Sequence, residues 1–107
     1  MTRAIDPSSC RVSFDDGMLQ FTKTQFGIFF ALFRARGRIL THPYLMQVIE
    51  DTSGRESESR VLDTHLVAIR RKLAPFGVRI KNHHSIGYSI TDWNFEVLPD
   101  IEEEVAA

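Results

Sequence analysis

The stretch RVLDTHLVAIRRKL, residues 60–73, decides the fold of this chain of 107 residues. Its apolar residues recur at intervals of three and four positions, which places them on one side of an α-helix. They are Leu62, Leu66, Ile69 and Leu73. The spacing predicts a helix over residues 59–74 that buries this stripe in a protein core.

The opposite side of this helix is polar and basic. A rotation of 100° per residue places four residues there in one row, with Arg70 and Lys72 on the two flanks. The row consists of Arg60, Thr64, Val67 and Arg71. Long basic side chains can reach the bases and phosphates of DNA, although a charged outer face is also typical of any amphipathic helix.

Upstream of this helix, the sequence predicts a β-hairpin and a first helix. Residues 10–21 alternate apolar and polar side chains around a turn with the sequence DDG, which is typical of two short strands. Thr22 and Gln25 have the spacing of a capping box, and Gly37 is suited to ending a helix, so a helix is expected over residues 23–36. Its apolar face would consist of Phe26, Phe29, Phe30 and Phe33.

A second helix is expected to begin at Thr41 and Pro43, because the missing N–H of proline needs no partner in the first turn of a helix. Its buried side would consist of Leu45, Val48 and Ile49. Residues 51–59 contain no large apolar side chain and are predicted to form an exposed loop.

A second hairpin is expected over residues 78–90, after the sequence PFG ends the third helix. Alternation would place Val78, Ile80, Ile86, Tyr88 and Ile90 on one side of it. The predicted fold class is therefore α+β, a winged helix-turn-helix with a short N-terminal β-hairpin, three helices and a C-terminal β-hairpin wing. We assign residues 1–91 to this domain and residues 92–107 to an acidic C-terminal tail.

The formal net charge of −1 hides a strong asymmetry along the chain. Residues 1–54 have six basic and five acidic groups, and residues 55–84 have seven and three. Residues 92–107 have six acidic groups and no basic one. Because local charge attracts a polyanion, the basic segment can bind nucleic acid despite the nearly neutral total.

Composition excludes several other classes of protein. No apolar run approaches the roughly 20 residues of a membrane span, and the first residues lack the apolar stretch of a signal peptide, so a cytoplasmic protein is expected. Cys10 is the only cysteine, which excludes an internal disulfide and a Cys-based zinc site. No cofactor is expected.

Three segments together resemble the DNA-binding domain of OmpR/PhoB-type response regulators, over about residues 9–91. The sequence FTKTQFGIFFALFRARGRIL is similar to the family's opening, LT-x-x-E/Q-F, and to its exit G-x-x-h, where h is apolar. RVLDTHLVAIRRKL is similar to the recognition helix, R-T-V-D-x-H-I-R-R-L-R-K-K-L, and IKNHHSIGYSI to the wing, I-x-T-V-R-G-x-G-Y-R-h. The combination of D-x-H, R-K-L and G-Y at these spacings is specific.

The resemblance implies sequence-specific binding of double-stranded DNA and regulation of transcription, usually by a head-to-tail homodimer on direct repeats. Together with the helical wheel, it gives the candidate DNA contacts Arg60, Thr64, His65, Val67, Ala68, Arg70, Arg71, Lys72, Lys81, His83 and His84. In the family, the loop before the recognition helix is associated with contact to RNA polymerase. Thr52, Ser53, Gly54, Arg55 and Glu56 occupy that place here.

The chain departs from the family pattern at three positions. An arginine pair is usual at Val67 and Ala68, and the wing commonly has an arginine at His84. Either the small apolar side chains touch thymine methyl groups, or this face is the centre of a protein interface. The second alternative is a protein-interaction module that binds a transcription regulator or RNA polymerase rather than DNA. For DNA, fewer arginines predict modest affinity and a shallow salt dependence.

Other functional sites are not expected from the sequence. It contains no glycine-rich phosphate loop and no pattern of an activated nucleophile, so we predict no catalytic residues and no enzyme. The four histidines, His42, His65, His83 and His84, are not expected to bind a metal ion, because adjacent residues of a strand point to opposite sides. No segment of receiver length precedes the module, so a standalone effector domain without a phosphoaspartate switch is expected, and the initiating Met favours a complete gene product.

The acidic tail allows two interpretations. It is either a solvated segment whose aromatic start packs on the domain, or a competitor whose carboxylates lie over the basic helix or engage a basic partner. The second hypothesis predicts that deleting residues 99–107 tightens DNA binding at low salt, because a competing anion is removed. A titration of labelled duplex with both chains measures the difference, and an unchanged affinity would rule out autoinhibition.

Overall fold

The computed structural model describes residues 3–54 and 59–99, and only the backbone at residues 59 and 60. The order of strands, three helices and a final hairpin is that of the predicted winged helix-turn-helix. The elements are β1 (Ala4–Asp6), β2 (Arg11–Phe14), β3 (Gly17–Gln20), α1 (Lys23–Arg34), β4 (Leu40–Thr41), α2 (His42–Ser53), α3 (Ser59–Leu73), a 3₁₀ turn (Ala74–Phe76), β5 (Ile80–His83), β6 (Gly87–Ile90) and β7 (Glu96–Val97).

Four strands form the N-terminal sheet, in the spatial order β3, β2, β1, β7. The pair β2–β3 is the predicted hairpin, whereas neither β1 nor β7 was predicted. β7 runs parallel to β1: the Glu96 N–H donates to the Arg3 carbonyl at 2.9 Å, and the Leu98 N–H donates to that of Ile5 at 2.8 Å. β7 lies beyond the predicted domain boundary at residue 91, so this sheet extends to residue 97. Residues 100–107 lie outside the described part.

The second sheet has the order β4, β6, β5 and contains the predicted wing hairpin, β5–β6. Gly87 of β6 approaches β4 so closely that an added Cβ would lie 1.9 Å from the Leu40 carbonyl oxygen. Only glycine fits at such a distance. The glycine of the G-Y motif thus allows the wing to join the strand that leads into α2.

Local sequence determines both ends of α1. The Thr22 side chain accepts from the Gln25 N–H at 3.2 Å, and the Gln25 side chain accepts from the Thr22 N–H, which confirms the capping box. The helix ends at Arg34, slightly before the predicted end at residue 36. The reason is the backbone of Arg36 and Gly37, whose φ angles of 52° and 84° are not helical.

α2 begins as predicted, with Thr41 as its cap and Pro43 in its first turn. Its last residue is Ser53, and Gly54 follows with a φ of 72°, a left-handed conformation that glycine adopts without strain. The predicted loop over residues 51–59 is therefore wrong at its start, because α2 continues through Ser53. At its other end, α3 begins at Ser59, where the third helix was predicted to begin. Residues 55–58 of that loop lie outside the described part.

The predicted apolar stripe of α3 forms the centre of the core. Its members, Leu62, Leu66, Ile69 and Leu73, are at most 3% exposed. They share one buried cluster with Phe29 and Leu32 of α1 and with Leu45 and Ile49 of α2. Because burying each large apolar side chain contributes about 1.5–3 kcal/mol, the rotation of α3 about its own axis is strongly fixed.

The wing follows the predicted alternation except at Ile86. Val78, Ile80, Tyr88 and Ile90 are all buried. Ile86 was expected on the same side but is 53% exposed, because it lies in the turn between β5 and β6 rather than in a strand. The period of two applies only within a strand.

Phe95 connects the segment before β7 to the core. Its ring packs edge-on against three phenylalanine rings of β2 and α1, with centroid distances of 5.7, 5.8 and 6.0 Å. These are Phe14, Phe29 and Phe33. The Arg3 guanidinium lies 5.3 Å from the centre of the Phe95 ring and forms an ion pair with Asp92. Residues 92–97 thus belong to the folded domain.

Truncating this contact tests the corrected domain boundary. We expect Phe95→Ala to lower the free energy of unfolding by about 3 kcal/mol, because it removes an aromatic side chain from a packed cluster. Urea denaturation measures the loss, with Val97→Ala as the control because Val97 is 43% exposed. If Phe95→Ala lost as little stability as this exposed control should lose, Phe95 would not anchor residues 92–97 to the domain.

Candidate nucleic-acid interface

The outward face of α3 presents the predicted row of residues. Thr64 and Arg71 are exposed, and Val67 is 48% exposed. The side chain of Arg60, the fourth predicted member, lies outside the described part. Arg71 forms no hydrogen bond or ion pair with any residue that the structure describes, so its guanidinium is available to a ligand.

Arg70 points toward the wing rather than outward. Its Nε and Nη2 atoms donate to the Ile80 carbonyl oxygen at 3.3 and 3.0 Å, and its guanidinium lies 5.6 Å from the centre of the Tyr88 ring. Arg70 was predicted as a DNA contact. Its observed contacts join α3 to β5 and β6 and use two of the five N–H donors of the guanidinium.

Lys72 also donates to other parts of the protein. Its Nζ donates to the Gln20 carbonyl oxygen and to Gln25 Oε1, both at 2.8 Å, and lies 5.3 Å from the centre of the Phe21 ring. This lysine therefore links the end of α3 to the capping box of α1. Sequence similarity suggested a DNA contact here, and no motif or spacing indicated these internal partners.

His65 and Ala68 lie at the edge of the outward face, and both are only partly exposed. Burial lowers the pKa of His65 from its ordinary value of 6.5, so its imidazole is mainly neutral at pH 7. A neutral imidazole can donate one hydrogen bond but attracts phosphate weakly. Its predicted role as a DNA contact is thus reduced to that of an uncharged group.

The wing presents two exposed candidates, Lys81 and His84. His83, also predicted as a DNA contact, is half-buried, and its Nε2 forms a hydrogen bond of 2.7 Å with Ser89 Oγ. This bond connects β5 to β6 near the turn and holds the His83 ring against the hairpin. Asn82, which lies between Lys81 and His83 and was not among the predicted contacts, is also exposed.

Tyr88 fixes the position of the wing relative to α3. Its hydroxyl donates to Asp63 Oδ1 at 3.3 Å, and its ring lies 5.5 Å from that of His42. Burial and then the charge of Asp63 raise the pKa of Tyr88, which keeps its hydroxyl protonated as a donor. The sequence motifs D-x-H and G-Y contained both residues, but spacing alone did not indicate that they meet.

The predicted partner surface is only partly described. Thr52 is half-buried, and its hydroxyl donates at 2.8 Å to the Val48 carbonyl one turn earlier in α2, so this group is engaged within its own helix. Ser53 and Gly54 are exposed at the end of that helix. Arg55 and Glu56 lie outside the described residues.

Neither a metal-binding cluster nor a membrane-spanning helix is found among the described residues. Within residues 3–54 and 59–99, no three histidine, cysteine or acidic side chains lie close enough to hold a metal ion. In the same ranges, no helix has the length and apolar character that crossing a membrane requires.

Three helices with a hairpin beside the third define a winged helix-turn-helix domain. The family model described as "Transcriptional regulatory protein, C terminal" matches residues 16–90, and the chain belongs to this family. It is homologous to the DNA-binding effector domains of response regulators. Over 90 residues it is 32% identical to response regulator ArlR of Staphylococcus saprophyticus, an alignment that covers 80% of this chain and 40% of ArlR. The chain therefore spans less than half the length of that relative.

Solved structures show the same fold at low sequence identity. The DNA-binding domain of response regulator AdeR, in complex with an intercistronic region, superimposes with a TM-score of 0.70 at 22% identity and covers 84% of this chain and 94% of that one. The C-terminal domain of the nisin resistance regulator NsrR gives a TM-score of 0.72 at 15% identity, with coverages of 84% and 91%.

The lowered pKa of His65 predicts a pH-dependent stability. Between pH 6.5 and the lower folded pKa, the unfolded chain binds more protons than the folded one, so the free energy of unfolding falls as the pH falls. Urea denaturation at about pH 7.5 and 5.5 measures this loss. The loss should become smaller in His65→Gln than in the wild type. Equal losses in wild type and His65→Gln would contradict this assignment.

Proposed function

We propose that this chain binds duplex DNA in a sequence-specific manner and regulates transcription. Helix α3 would enter the major groove, and the β5–β6 hairpin would serve as the wing. The observation that carries the proposal is the outward row of α3, where Arg71 is exposed and unpaired within the described part of the chain. The family membership and the fold support the same conclusion.

The number of cations on this surface favours modest affinity for a single domain. Arg70 and Lys72 donate to carbonyl oxygens within the protein, which leaves Arg71, Arg79 and Lys81 as the exposed basic residues of α3 and the wing among those whose side chains the structure describes. Each neutralised phosphate contributes a slope of about −0.9 in log affinity against log salt. Few such contacts imply a shallow slope. Two domains on adjacent sites would raise the affinity through effective concentration.

Three further assignments extend this proposal. The protein acts in the cytoplasm, it binds DNA as a homodimer, and residues 52–56 contact RNA polymerase or a regulator. The family relationship supports them, and the exposed end of α2 at Ser53 and Gly54 is compatible with a protein contact there. A module that binds only a protein through α3 is the competing function, supported by the exposed Val67.

Replacing Arg71 tests the DNA-binding surface directly. Selection of duplexes from a random pool first supplies a bound sequence. We expect Arg71→Ala to weaken binding to that duplex by about tenfold. If Arg71 contacts a phosphate, the salt slope also becomes shallower by about one unit.

The matched control is Arg34→Gln, which removes the same charge from the exposed last turn of α1. Arg34 is nine residues beyond Gln25, which accepts a hydrogen bond from Lys72 of α3, and this separation is about 13 Å along the helix. The control should bind like the wild type. Failure to enrich any duplex, or equal weak binding of selected and scrambled duplexes, would contradict the proposal and favour the protein-interaction module.

A further inference from the structure

One apolar side chain on α3 has no role in the core. Val67 is 48% exposed, whereas the large apolar residues of the buried stripe are at most 3% exposed. In the free protein, Val67 therefore leaves apolar surface exposed to solvent, which is unfavourable, and no packing contact with the described residues offsets this cost. Its position in the middle of the outward row suggests that its partner is a ligand of this face.

The neighbours of Val67 determine which ligand fits. Thr64 precedes it by one turn, and Arg71 follows it by one turn, on the same face. Both are exposed and polar. Protein interfaces have an apolar core of several residues, often aromatic, and usually exceed about 1,000 Å². A single valine between a threonine and an arginine is too small an apolar patch to form such a core. Its size instead suits contact with one methyl group of a ligand.

The major groove of DNA offers such a methyl group at only one base. Thymine presents its 5-methyl group there, next to hydrogen-bonding groups that Thr64 and Arg71 can reach. Cytosine presents an amino donor at the neighbouring position and no methyl group. An apolar side chain therefore distinguishes thymine without forming a hydrogen bond.

We infer that Val67 is a specificity-determining residue that packs on the 5-methyl group of one thymine in the bound DNA. This inference rests on the proposed function. Four residues of helix separate Val67 from Arg71, which is about 6 Å along the axis, or roughly two base-pair steps of 3.4 Å. The thymine thus lies within about two base pairs of the nucleotide that Arg71 contacts.

Deoxyuridine substitution isolates the methyl group, because uracil differs from thymine only by its absence. Each thymine of the selected duplex is replaced in turn, and affinity is measured for the wild type, Val67→Ala and Val97→Ala. At one thymine, removal of the methyl group should weaken wild-type binding by about fourfold, the effect of one buried methyl group. The same replacement should have no effect on Val67→Ala.

Val97→Ala is the matched control, because Val97 is also half-exposed but lies on β7 in the other sheet. It should keep the wild-type sensitivity to deoxyuridine. Val67→Ala places a better helix former at an exposed helical position, so this variant should remain folded. A loss of deoxyuridine sensitivity would then not be due to unfolding.

The possible results separate the two proposals. If a duplex is enriched but no thymine is sensitive, or if Val67→Ala keeps the sensitivity, the inference about Val67 is overturned and DNA binding stands. If no duplex is enriched, both are overturned. Sensitivity at a single thymine in wild type and Val97→Ala, lost in Val67→Ala, supports the assignment.

Discussion

The burial of one side of α3 is the constraint on which the rest of the structure depends. Leu62, Leu66, Ile69 and Leu73 lie in the common core of the three helices. Because a helix that buries one stripe has no freedom to rotate, the residues on its opposite side are presented at a fixed angle. The outward positions of Thr64, Val67 and Arg71 therefore follow from core packing, before any ligand is considered.

The basic residues of α3 divide into two functional groups. Arg70 and Lys72 donate to carbonyl oxygens of Ile80 and Gln20, and so connect the helix to the wing and to the N-terminal sheet. Arg71 is the described basic residue of this helix that remains available to a ligand. A count of arginines and lysines thus overestimates the positive charge that α3 presents to DNA. With fewer charged contacts, an apolar contact by Val67 would contribute a larger share of the recognition of the bound sequence. The contacts of Arg70 with Ile80 and Tyr88 hold α3 against the wing.

The sequence predicted those features that repeat at a regular interval within one element. The three helices, the capping box of Thr22 and the buried stripe of α3 all follow from spacing over a few residues. Strands β1 and β7 were missed because each has two or three residues, and their pairing joins positions about ninety residues apart. For the same reason the contacts of Lys72 with Gln20 and of Tyr88 with Asp63 were not predicted: a helical wheel gives the direction of a side chain but not its partner.

The outward face of α3 and the wing together form the proposed DNA-binding surface. Backbone amide NMR of the isotopically labelled chain, titrated with the selected duplex, tests it most directly. We expect the largest chemical-shift changes from Thr64 to Arg71 and near Lys81 and His84, with small changes in β1 and β7. The largest changes in the four-stranded sheet, with α3 unaffected, would contradict it.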